Sequence, residues 1–158
     1  MTALFEAAKG FRKVTLDDFV PATVAPLAQV IHVGKNTLPA HTHFEKRFCR
    51  PRDPADSGVL FGYNHQSLSA FTGPGYFVVR PASDEGEVDI DYTAVPNQRP
   101  DAWPAIAPNS ARLGRFVYAG MVDVMRGISP HVTIGRAKKG GRWTDNWFVL
   151  VREETGVA

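Results

Sequence analysis

Three groups of side chains have the types and spacing to do chemistry. His41, His43 and Glu45 alternate along the chain, so an extended backbone projects all three from one face. Two imidazoles and a carboxylate suit zinc, iron or manganese. A polar edge strand carrying two surface histidines produces the same string, and that reading is favoured. Asp89 and Asp91 also share a strand face, roughly 6–7 Å apart along the backbone. Paired carboxylates do acid–base work where a pocket separates their pKa values. With Glu87 on the same face, a solvated acidic strip is the simpler reading. His65 alternates with Phe61 and Tyr63 and could enter an aromatic interior as a base, a haem ligand or a contact for a carbonyl.

Other chemistries lack their residues. There is one cysteine, Cys49, which excludes an internal disulfide and every multi-cysteine zinc motif. In Phe48-Cys49-Arg50 it reads as a small buried hydrophobe, although the neighbouring arginines could make a thiolate reactive. No Gly-x-Ser-x-Gly elbow and no P-loop spacing occur. The N-terminus carries an early acid and no signal-like apolar run, and no stretch approaches the roughly 18 apolar residues that span a bilayer. A reducing cytoplasm and no membrane span are the expectations. The formal net charge is +2. The clusters around Lys46-Arg47-Arg50-Arg52 and Arg136-Lys138-Lys139-Arg142 are not interleaved with aromatics as in RNA readers, so no nucleic-acid partner is expected.

The elements that must position these groups are mostly strands. The 158 residues are 44% apolar and 22% charged, which suits one globular domain, 1–158. Seventeen Val against eight Leu, and ten Asp against six Glu, disfavour a helical bundle. Residues 1–34 read as short helices and loops, with a start signal at Thr15-Leu16-Asp17-Asp18 and helix slightly favoured over strand for 24–31. Residues 40–50 alternate loosely as a strand. Strands follow at 59–68, 75–80 and 87–93, in the spacing of an antiparallel meander. Residues 94–111 hold Pro96, Pro100, Pro104 and Pro108 and read as irregular. Residues 115–119 read as a strand. Met121, Val124, Met125 and Ile128 fall at helical spacing, so 121–128 is expected to be a short helix. Residues 131–138 and 143–153 form a hairpin about Gly140-Gly141.

Strand 87–93 is apolar on one face only, through Val88, Ile90 and Tyr92, but 75–80 and 143–153 are apolar on both. A sheet of that kind must be covered twice. A closed or strongly curved antiparallel barrel with a few short helices does so in the fewest residues. Phe61, Tyr63, His65, Tyr76, Val78, Tyr118 and Trp147 are the expected lining, bulky and in several cases polar-tipped, as a small apolar or amphipathic ligand requires.

The order in the C-terminal third is Arg115–Gly120, Val122–Ile128, Val132–Ala137, then the aromatic Trp147-Phe148-Val149-Leu150-Val151 ending in Arg-Glu. It resembles the end of small lipocalin-like (calycin) bacterial barrels over about 40 residues. The resemblance implies a closed antiparallel barrel with a central apolar cavity and names no ligand. His41-x-His43 with Glu45 is similar to the opening of the first cupin motif, with the acid nearer and Gly34 further away than in that motif.

The leading expectation is thus a ligand-binding barrel for a small apolar molecule, with His65 as polar anchor and no required cofactor. The alternatives are a barrel enzyme of isomerase, cyclase or hydratase type, with His65 as base beside Asp89 or Asp91, and a cupin-like metal enzyme at His41, His43 and Glu45. Haem and a divalent metal are the cofactors these residues could take, and a homodimer is compatible with all three.

Overall fold

The computed structural model describes residues 1–37, 42–65, 73–109 and 118–154. Two short helices, α1 (Thr2–Ala8) and α2 (Leu16–Phe19), precede eight strands. These are β1 (Val30–Asn36), β2 (His43–Cys49), β3 (Leu60–His65), β4 (Tyr76–Pro81), β5 (Val88–Asp91), β6 (Met121–Ser129), β7 (Val132–Lys139) and β8 (Arg142–Arg152). Each strand pairs antiparallel with the next, and β8 returns to pair with β1, closing a barrel. Among the described residues no helix is long and apolar enough to cross a membrane.

Two expectations about secondary structure are corrected. The 121–128 segment is strand β6, not helix. Its inner face is covered by the barrel and its outer face by α1, through Phe5 and Ala8 against Val124 and Ile134. A strand buried on both faces carries apolar residues at both parities, and these coincide with a helical period. The 24–31 segment holds no helix: turns, with Leu27 at a left-handed φ of 59°, lead into β1 at Val30. The β7–β8 hairpin turns through Gly140 and Gly141 at φ 56° and 77°, the double positive φ that a tight hairpin demands and glycine supplies without strain. The expected strand at 115–119 lies mostly outside the described residues. The proline-rich stretch, where described, is neither helix nor strand.

One end of the barrel is plugged. Asp18 accepts from the Thr15 backbone N–H at 2.7 Å and starts α2, which delivers Phe19 and Val20 to a core of Val30, Phe48, Leu60, Val79, Met125 and Leu150. On the outside, α1 is held by Arg126, whose guanidinium donates to the Phe5 carbonyl at 2.7 Å and to Glu87 at 2.7 Å.

Inside the barrel, three glycines each face a phenylalanine on the neighbouring strand: Gly34 opposite Phe44, Gly62 opposite Phe77, and Gly135 opposite Phe148. A methyl group at any of the three would collide with its partner's ring. Each ring therefore lies across the backbone of its neighbour, a pairing that stabilises the glycine site and keeps the ring against the wall.

Candidate functional site

The end of the barrel away from α2 holds a cavity of about 330 Å³, the size class of small-molecule pockets. Its apolar wall includes Phe44, Tyr118, Met121 and Phe148, and its polar residues include Lys46, Asn64, Tyr92 and Asp123. Strand parity brings the four polar groups together. In β2 the inward residues are Phe44, Lys46 and Phe48, and Lys46 lies directly opposite Asn64 of β3. Asp123 is inward on β6, opposite Ile90. Tyr92 follows the end of β5, its backbone N–H bonded to the Met121 carbonyl at 3.1 Å.

The Lys46 ammonium has three hydrogens to donate, and three acceptors surround it. They are Asn64 Oδ1 at 2.9 Å, Asp123 Oδ2 at 3.3 Å and the Tyr92 hydroxyl. Asn64 Nδ2 donates to the Tyr92 oxygen at 3.0 Å, and that hydroxyl lies 3.3 Å from Asp123 Oδ2. Both side chains of the Lys46–Asp123 pair are 4% exposed. Lys46 Nζ also sits 5.0–5.6 Å from the ring centres of Tyr92, Phe148, Phe77 and Phe44. The three glycine-backed phenylalanines are thus the cage around this cation, and Tyr118 stacks on Tyr92 at 5.1 Å.

Burial disfavours charge on every member of the cluster. It holds the Lys46 pKa below the ordinary lysine value, against the pull of Asp123. It lifts that of Asp123 against the pull of Lys46, and pushes the Tyr92 phenol well up. Amine and carboxyl are brought closer in proton affinity than they are in water, while the phenol is held protonated beside them.

The residues expected to line the interior mostly do not. Phe61, Tyr63 and His65 have the opposite parity to Gly62 and Asn64. Phe61 and Tyr63 join Cys49, Tyr76, Val78 and Trp103 in an outer cluster. Residues Ala94 and Ile106 of the proline-rich stretch pack on it, Trp103 donates to Gln29 at 2.8 Å and the Tyr76 hydroxyl to the Pro104 carbonyl. His65 is exposed at the end of β3, its Nδ1 3.5 Å from the Tyr63 hydroxyl, so it is no anchor for an internal ligand. Tyr118 and Trp147 do border the cavity. Trp147 otherwise lies on the outer face, with the Arg136 guanidinium 4.8 Å above its ring.

Asp89 and Asp91 share the outer face of β5, as their spacing predicts, and neither lines the cavity. Burial, opposed by Lys138, raises the pKa of Asp89, while Asp91 accepts from the Thr93 backbone N–H at 2.8 Å. Glu87 is buried against Arg126, not part of a wet strip. His43 and Glu45 lie on the outer face of β2, with Glu45 bonded to Arg47 at 2.8 Å. His41 lies outside the described residues, and among those residues no cluster of three His, Cys, Asp or Glu side chains could hold a metal.

Lys46, Asn64, Tyr92 and Asp123 were not among the candidate residues. One signal for Lys46 is present in the sequence: it alternates with Phe44 and Phe48, a charge on an otherwise aromatic strand face. Asp123 was hidden by the helical reading of β6. Compared with protein-family models, curated proteins and solved structures, the chain shows no match, so the site stands on its own geometry.

Proposed function

We propose that the barrel binds one small amphipathic molecule, its apolar body against Phe44, Met121, Tyr118 and Phe148 and its polar atom toward Lys46 and its partners. The observation that carries this reading is the buried Lys46 ammonium, caged by aromatic rings and forming part of a cavity wall. At about 30 Å³ per water-sized unit, the space takes on the order of ten heavy atoms. A β-sequential eight-stranded barrel closed from β8 to β1 is the up-and-down arrangement that lipocalins use for one small ligand, which supports a lipocalin-like kinship. An enzymatic use of the same cavity would draw its acid–base groups from Lys46, Tyr92 and Asp123. His65, Asp89 and Asp91 do not border it. A lone thiol, Cys49, buried and unpaired, supports a reducing cytoplasm as the setting.

The test is binding of 2-naphthylmethanol, followed by its fluorescence, with native mass spectrometry of the purified protein to detect a retained ligand. Ala137 faces the cavity with small volume, so Ala137→Leu should abolish binding while the melting temperature shows the barrel still folded. Equal binding by wild type and Ala137→Leu would place the ligand elsewhere and overturn the reading.

A further inference from the structure

A lysine that served only to join strands would be best walled off, because an ion pair in a dry interior gains nothing from a neighbouring void. Lys46 is instead one of the walls of the cavity. Its Nζ lies 3.3 Å from a carboxyl oxygen that is itself 3.3 Å from a phenol. The rings of Phe44, Phe77 and Phe148 lie back against Gly34, Gly62 and Gly135, and Lys46 lines the cavity together with Phe44 and Phe148.

An amine lining an apolar pocket beside a proton donor and a proton acceptor has the parts needed to attack a carbonyl carbon. We propose that the ligand is an aldehyde or ketone and that Lys46 Nζ condenses with it to form an imine; this rests on the reading of the cavity as a small-ligand site. In the first step the nitrogen lone pair forms a C–N bond, and the C=O π pair moves to oxygen. That oxygen takes a proton from the Tyr92–Asp123 pair, while the ammonium nitrogen returns one to Asp123. In the second step the nitrogen lone pair closes C=N, and the C–O bond breaks. The hydroxyl leaves as water with a proton from Asp123, and the remaining N–H proton can be returned to the same carboxylate. The net change is amine plus carbonyl giving imine plus water, with no oxidation or reduction. Burial that favours the neutral amine of Lys46 and the protonated acid of Asp123 aids both steps.

The test incubates the full chain with 2-naphthaldehyde at neutral pH, reduces any imine with sodium cyanoborohydride, and maps the adduct by peptide mass spectrometry. The expected result is a reduced adduct at Lys46 that forms before any at exposed lysines, because the cavity holds the aldehyde against an amine whose burial favours the free base. Ala137→Leu should remove that label and leave slow labelling of exposed lysines unchanged. Labelling of exposed lysines alone, in protein that still binds 2-naphthylmethanol, would overturn the imine and leave the binding site standing. Failure to bind the alcohol together with no label at Lys46 would overturn both. Lys46→Arg, which keeps the charge and removes the nucleophilic amine, should give no reduced adduct at position 46. If that variant does not fold, the Ala137→Leu comparison decides.

Discussion

His32 offers a stability test whose sign and size both come from its surroundings. The imidazole is 1% exposed at the plugged end of the barrel, stacked on Phe19 at 5.6 Å and edge-on to Phe48 at 4.7 Å. Its Nε2 lies 2.9 Å from the Phe19 carbonyl and so carries the proton, while Nδ1 is buried without a partner. Protonation would create an N–H with no acceptor in an apolar box and near Arg152. Burial accordingly lowers the pKa from 6.5 to about 4. Between those values the unfolded chain binds a proton that the folded chain refuses, so stability is full above pH 6.5 and falls as pH drops toward 4. The difference of about 2.5 units at 1.36 kcal/mol each amounts to about 3 kcal/mol. Urea unfolding of wild type and His32→Gln at pH 7, 6, 5 and 4 isolates this contribution, because the remaining titratable groups are common to both proteins. Wild type should lose about 3 kcal/mol more than the variant over the range. Parallel curves, or a proton resonance of His32 titrating near 6.5, would refute the burial reasoning.

The polar cluster predicts a non-additive cycle. Lys46→Met leaves Asp123 buried and unpaired and should cost about 3–5 kcal/mol, whereas Lys46→Met with Asp123→Leu should recover most of that; a single variant as stable as the double would sink the pairing. Gly62→Ala would drive a methyl group into the Phe77 ring and to 2.5 Å from the Arg47 carbonyl oxygen, costing about 1–3 kcal/mol. Gly58→Ala meets nothing within 4 Å and should stay within about 0.5 kcal/mol in the same thermal melts. The Cys49 thiol is buried, with its pKa pushed up to about 12, so a thiol reagent at pH 8 should label it no faster than the chain opens. Rapid labelling of the folded protein would contradict its place beneath Trp103.

The sequence by itself determined that the chain is mainly β, that its sheet is covered on both faces, and that it is punctuated where glycine and proline occur. Valine excess, the Gly140-Gly141 turn and the irregular proline-rich stretch are local properties, set by backbone sterics that act without tertiary context. The one-sided strand β5 was legible for the same reason: Val88, Ile90 and Tyr92 alternate with acids, and the inward face follows. Where both parities are apolar, local pattern cannot choose between them. In β3, Phe61 and Tyr63 look more like an interior than Gly62 and Asn64 do, yet the glycine and asparagine face inward. The inside of a small barrel must accommodate the Phe77 ring and satisfy Lys46, whereas the outside has Trp103 and Ile106 to cover it. That choice depends on register around the closed barrel, and so does the meeting of Lys46, Asn64 and Asp123 from three strands with Tyr92 just past the end of β5. Tertiary structure therefore decided the site, because a polar cluster becomes chemistry only when its members share one desolvated wall.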